Sequence, residues 1–183
     1  EKTGIRKFFN GPESFTPDTN YLLGETPEVK NFFVCCGFNS IGIVSAGGAG
    51  KITAEWMMNG GISEDIFKLD ISRFEKFHSE TKFITERVTE TLGNLYAMHW
   101  PYKQLETSRN QKILPYHEHL KNKGACFGEV AGFERPMWYA LNGKKPEYKY
   151  SYGYQNWYES AKHETVNTRK NVGFFDLTTF AKF

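Results

Sequence analysis

The stretch GFNSIGIVSAGGAGK, residues 37–51, carries Gly37, Gly42, Gly47, Gly48 and Gly50 and ends on Lys51. Glycines ahead of a lysine suit a loop whose backbone N–H groups approach a phosphate, yet a Walker loop needs an upstream glycine at fixed spacing and a Ser or Thr after its Gly-Lys pair. Ser45 and Ile52 stand in those places. The dinucleotide pattern G-x-G-x-x-G fails as well, because Thr53 occupies its last position. The residues do predict an apolar strand, Phe32 to Cys36, entering a flexible loop and then a helix from about Gly47 to Met58, stopped by Gly60 and Gly61. The free N–H groups and positive dipole end of that helix would face an anion or a carbonyl-rich ring. The alternative is that Gly47, Gly48 and Gly50 simply let the helix pack closely on a strand.

Other chemistry-bearing residues point to packing. His117 and His119 in YHEHL have a two-residue spacing and no third ligand nearby, so they predict surface or packing histidines and no metal site. His99, between Met98 and Trp100, reads as a packing residue, and Trp56 and Met57 as core. Cys35 and Cys36 are adjacent in a strand and point to opposite faces, which argues against a redox pair. Three cysteines cannot make a paired secreted framework; they predict reduced core thiols in a cytosolic or matrix-like compartment.

These residues need a folded scaffold, and the composition provides for one. The 183 residues are 16% aromatic and 24% charged, which excludes a disordered chain. A net charge of +2 with both signs interspersed gives no basis for a nucleic-acid or anionic-membrane partner, and no apolar run is long enough to span a bilayer. The chain begins at Glu1 instead of Met and ends at Phe183 in mid-pattern, which predicts a segment of something longer. Short apolar strands alternating with turns are expected in IRKFF, YLLGETPEVKN and FFVCCGF, with the turn-rich NGPESFTPD between the first two. EDIFKLDISRFEKF reads as a linker, and Ser79 to Met98 as a helix with Ile84, Val88, Leu92 and Tyr96 on one face. Pro101 and Pro115 keep the next stretch extended. GACFGEVAGFERPMWYAL predicts two strands about a Gly132 turn, residues 143–153 a polar, tyrosine-rich surface loop, and Tyr158 to Lys170 a helix.

Six stretches in one collinear order carry a resemblance that covers nearly the whole chain: NGPESFTPD (10–18), GFNSIGIVSAGGAGK (37–51), LDISRF (69–74), ETLGNLYAMHWP (90–101), GACFGEVAGFERPMWY (124–139) and FDLTTFAKF (175–183). Together they resemble the dimethylglycine and sarcosine dehydrogenase family of flavoproteins. The resemblance implies an α+β chain with the C-terminal piece of an FAD-binding α/β domain (1–70), a small central domain (71–122) and the first elements of a folate-binding, aminomethyltransferase-like domain (123–183). It implies FAD as cofactor, tetrahydrofolate in the full-length protein, and a small N-methyl amine as substrate in a bacterial cytoplasm or mitochondrial matrix; the electron acceptor stays open. It places Gly37, Phe38, Asn39, Ser40 and Gly42, with Gly47 and Gly48, against the flavin ring. A helix end at the ring's pyrimidine edge would contribute up to about 2 kcal/mol to the reduced flavin, which corresponds to roughly 40 mV. Glu13 is the acidic residue placed to face a cationic amine, while Glu134, Arg135 and Trp138 read as domain packing. Two other members of this architecture stay open: a pyruvate dehydrogenase phosphatase regulatory subunit and a folate-dependent aminomethyltransferase.

Overall fold

The structure, a computed structural model, describes residues 3–62 and 64–180, so the last three residues of the stretch 175–183 lie outside the described residues. The chain divides into two compact units, Glu1–Leu95 and Tyr96–Phe183. Helices and antiparallel strand pairs are mixed in an α+β manner.

In the first unit, β1 (Leu22–Glu25) pairs antiparallel with β2 (Phe33–Cys36), from Leu22 opposite Cys36 to Glu25 opposite Phe33. Helix α1 (Gly42–Asn59) lies against this hairpin and ends at Gly60, whose left-handed φ of 71° lets its N–H reach the carbonyl of Trp56. The helix begins five residues before the expected start at Gly47. Glycines cost helix stability, but Ala49, Ile52 and Trp56, spaced three and four apart, bury one face around Leu23 and Ile66, and that packing outweighs the local preference. Leu23 is fully buried, worth about 2 kcal/mol of apolar burial. Gly24 is obligatory there: its φ is 110°, and an added Cβ would stand 2.4 Å from the Trp56 ring.

Five expectations for this unit need correction. IRKFF forms no strand, and Ile5, Phe8 and Phe9 are exposed. The supposed linker is built into the fold: Ile66 is core, the Leu23 N–H donates to the Leu69 carbonyl at 2.9 Å, and two short 3-10 helices, Ile71–Arg73 and Lys76–Ser79, follow. Cys35 and Cys36 are exposed rather than core. Met57 is exposed as well, whereas Trp56 packs on the core. Helix α2 (Thr81–Leu95) forms as expected but buries Phe83, Arg87 and Thr91, one position before the expected face. Phe77 and His78 of the preceding turn meet the Phe83 ring edge-on at 5.2 Å and draw that stripe inward, leaving Ile84 and Tyr96 exposed.

The second unit is built on the hairpin of β3 (Ala125–Val130) and β4 (Phe133–Tyr139). Ala131 and Gly132, with φ of 51° and 78°, make the two-residue turn that suits strand twist. The register slips between Cys126 and Phe127, opposite Pro136, which has no N–H to give the ladder. Helix α3 (His117–Asn122) and helix α4 (Tyr158–Lys170) flank the hairpin, and α4 anchors to it through Glu164, which accepts the Tyr139 N–H at 2.8 Å. The stretch 143–153 is not merely a surface loop. Tyr148 stacks on Tyr150 and meets Trp157 edge-on, and the Tyr150 hydroxyl accepts the Gln104 N–H at 2.9 Å.

Candidate functional site

The turn 10–18 and the loop 37–42 come together in the first unit. Asn39 is buried and left-handed (φ 48°), a conformation Asn tolerates better than most residues. Its amide joins the two segments: Oδ1 accepts the Thr16 N–H at 2.9 Å, and Nδ2 donates to the Gly37 carbonyl at 2.6 Å and to Thr16 Oγ1 at 3.1 Å. Gly37 (φ 68°) sits so close that a Cβ would approach the Thr16 methyl to 2.8 Å. Ser40, also left-handed at φ 67°, follows, and its hydroxyl donates to Glu13 Oε2 at 2.8 Å. Consecutive left-handed residues without glycine are costly and persist where the surroundings fix them. Here the Asn39 amide does so.

Asp18 ties the turn to the LDISRF stretch. Arg73 donates through Nε and Nη2 to its two carboxylate oxygens at 2.7 and 3.0 Å, and also reaches the carbonyls of Leu69, Asp70 and Asn20. The guanidinium is buried and saturated with acceptors, so this is a structural brace. Periodicity cannot pair residues 55 apart in sequence, which is why the brace was missed; the only signal is an acid and a base in two of the stretches that carry the resemblance.

The braced loop delivers the chain into α1, whose N-cap residue Ile41 offers no side-chain hydrogen bond and whose first turn holds no acidic residue. The backbone donors of Gly42, Ile43 and Val44, ahead of the first intrahelical bond from the Ser45 N–H to the Ile41 carbonyl, are thus uncapped, flanked by the exposed side chains of Ile41, Ile43 and Val44. Open donors with apolar flanks fit a flat aromatic ring with a carbonyl edge, as in a flavin. The helix-end argument therefore attaches to Gly42. Gly47 and Gly48 lie in the second turn, where an added Cβ would meet nothing within 4 Å, and the structure gives them no helix terminus. Phe38 packs on the core and stacks on Tyr21 at 4.8 Å.

A second constellation lies in the other unit. Glu134, 2% exposed, receives Arg109 Nε at 2.7 Å, Arg109 Nη2 on its other oxygen, and the Asn110 N–H at 2.8 Å. Burial alone would raise the Glu134 carboxyl, but the Arg109 and Asn110 hydrogen bonds and the Arg109 charge hold it below the usual carboxylate range. His117 is buried and stacks on Phe127 at 4.2 Å, while His119 and His99 are exposed. Burial pushes the Cys126 thiol up to about 11, so it is inert. Glu134 and Trp138 are packing residues, as the sequence suggests. Among the described residues, no group of three or more His, Cys, Asp or Glu could hold a metal ion, and no helix is long and apolar enough to cross a membrane.

Two stretches of the chain match known families, and their border does not coincide with that of the two compact units. Residues 59–113 match the family described as FAD dependent oxidoreductase central domain, and residues 116–183 the GCVT N-terminal domain. That order defines a flavoprotein oxidoreductase with an aminomethyltransferase-like continuation. The chain is 48% identical over 98% of its length to 4-methylaminobutanoate oxidase (formaldehyde-forming) of Paenarthrobacter nicotinovorans, 40% identical over 99% to human mitochondrial sarcosine dehydrogenase, and 35% identical over its whole length to the mouse mitochondrial pyruvate dehydrogenase phosphatase regulatory subunit. It covers 22%, 19% and 21% of those relatives, about a fifth of each. The chain belongs to the dimethylglycine and sarcosine dehydrogenase family of FAD-dependent oxidoreductases.

Proposed function

We propose that the full-length protein oxidises a small N-methyl amine of the sarcosine or dimethylglycine type with FAD. The observation that carries this reading is the open, uncapped N-terminus of α1, presented by a loop that the Asn39 amide fixes. In this reading Gly37 to Gly42 lie along the flavin, and Gly47 and Gly48 line the same helix further on. The segment 1–70 completes the flavin domain, 71–122 forms the central domain, and 123–183 opens the tetrahydrofolate domain.

FAD, when bound, accepts the hydride that leaves the N-methyl carbon. The nitrogen lone pair forms the C=N bond as that C–H bond breaks, giving an iminium. Water then adds at carbon and the C–N bond breaks, releasing formaldehyde and the demethylated amine, or tetrahydrofolate takes the one-carbon unit. The chain's own contribution would be to bind and orient: the α1 donors would favour negative charge on the bound ring, and Glu13, tethered beside the same helix end, would face the amine nitrogen, which is positive in both the protonated amine and the iminium. Mitochondrial relatives such as human sarcosine dehydrogenase support a mitochondrial location, with the matrix, or a bacterial cytoplasm, as the proposed compartment.

The test is the visible spectrum of the full-length protein before and after anaerobic addition of sarcosine, dimethylglycine or 4-methylaminobutanoate. Bleaching of an oxidised-flavin band is the expected result. The likeness to a phosphatase regulatory subunit supplies the competing, non-catalytic reading; a flavin band that no N-methyl amine bleaches would favour it.

A further inference from the structure

We propose that Glu13 uses one charge for two purposes: it receives the ammonium of the amine and, until the amine arrives, holds the flavin's reduction potential down. This rests on the flavin reading above. The turn 10–18 contains two carboxylates with different fates. Asp18 is neutralised by Arg73. Glu13 is exposed, with its Oε2 held at 2.8 Å by the neutral hydroxyl of Ser40, and among the described residues it has no cationic partner. Ser40 is followed by the N-cap residue Ile41, so the carboxylate is tethered beside the end of α1 where the open donors emerge.

The left-handed backbone of Ser40 fixes where its hydroxyl holds the carboxylate. A hydroxyl tether positions a carboxylate without cancelling its charge, unlike the guanidinium on Asp18. Such a charge opposes a second negative charge at the same helix end and thus disfavours the reduced, anionic flavin. An ammonium paired with Glu13 removes that opposition, so amine binding and flavin reduction favour each other, reciprocally. The protein thereby becomes easier to reduce when its electron donor is in place.

The experiment compares full-length wild type with Glu13→Gln and Ser40→Ala by spectroelectrochemical titration. In parallel, the flavin band reports binding of glycine betaine, whose quaternary nitrogen has no lone pair to form the C=N bond, and of its carbon isostere 3,3-dimethylbutanoate, which keeps the carboxylate and lacks the cationic centre. Wild type is expected to prefer betaine. Glu13→Gln should weaken betaine at least about tenfold, leave the isostere unchanged, and favour flavin reduction about tenfold, or roughly 30 mV for a two-electron couple. Ser40→Ala should move both quantities in the same direction by less, and it keeps the test decisive if Glu13→Gln fails to fold. A flavin-loaded variant with either quantity unchanged overturns the inference, as does a wild type without betaine preference. A wild type that holds no flavin overturns the underlying reading instead.

Discussion

Asn39 is the single side chain on which the loop depends. Asn39→Ala leaves the buried Thr16 N–H without an acceptor and puts alanine at a φ of 48°. The expected loss is about 2–4 kcal/mol, read from the urea midpoint, with weaker flavin retention. Gly37 allows a sharper test, because its substitution faces two separable penalties. Gly37→Ala should lose about 1–2 kcal/mol from the left-handed backbone and about 1–3 kcal/mol more from contact with the Thr16 methyl. Adding Thr16→Ser removes that methyl and keeps the hydroxyl, so it should recover the second loss and not the first. At Glu134 the folded pKa is depressed, so its contribution to stability is present above the unfolded value near pH 4.3 and is lost as pH falls through the folded value. Arg109→Met should cost about 3–5 kcal/mol at neutral pH and invert this dependence: unpaired, the buried carboxyl has a raised pKa, so the variant regains stability on acidification. Thermal unfolding from pH 7 to 3 checks the sign.

At the scale of elements, the close approach of β1 to α1 is the contact most sensitive to one atom. Gly24→Ala drives a Cβ into the Trp56 ring at a φ of 110°. It should cost about 3 kcal/mol or more in thermal unfolding; Trp56→Leu should relieve only the steric share. The elements also show what could be read in the sequence and what could not. Helix α4 and the β3–β4 hairpin were legible, because their signals are local: a continuous helical stretch in one, a Gly132 turn between two short strands in the other. The start of α1 was not, since Gly47, Gly48 and Gly50 speak for a loop, and only tertiary burial of Ala49 and Trp56 extends the helix back to Gly42. The α2 face was displaced by one residue for a similar reason, aromatic packing from a neighbouring turn. The site divides likewise: its segments were marked by composition and resemblance, but the pairings Asn39–Thr16, Asp18–Arg73 and Arg109–Glu134 join residues 23, 55 and 25 apart, beyond any periodic signal.

Across the whole molecule, apolar side chains are unusually visible. Ile5, Phe8, Phe9, Ile43, Val44, Met58 and Phe67 are exposed in the first unit, and Tyr152, Tyr154, Phe174 and Phe175 in the second. Surfaces of this kind associate. The 183-residue chain produced alone should therefore self-associate and bind a hydrophobic dye, whereas the full-length protein should do neither; sedimentation and dye fluorescence distinguish them.

The brace between Arg109 and Glu134 also says where this architecture can be cut. Arg109 lies in the part matched by the central domain of the oxidoreductases, and Glu134 in the part matched by the GCVT domain, yet both belong to the compact unit Tyr96–Phe183. The Lys112 carbonyl accepts the Glu134 N–H at 2.8 Å across the same seam, and Gln104 meets Tyr150. A recombinant hybrid that joins one relative's central domain to another's GCVT domain near residue 114 would mismatch these partners, whereas a crossover at residue 95 would carry them as one inherited block. The heritable module of this region is thus set by an ion pair and a shared sheet edge, and its border falls about twenty residues before the one that family descriptions draw.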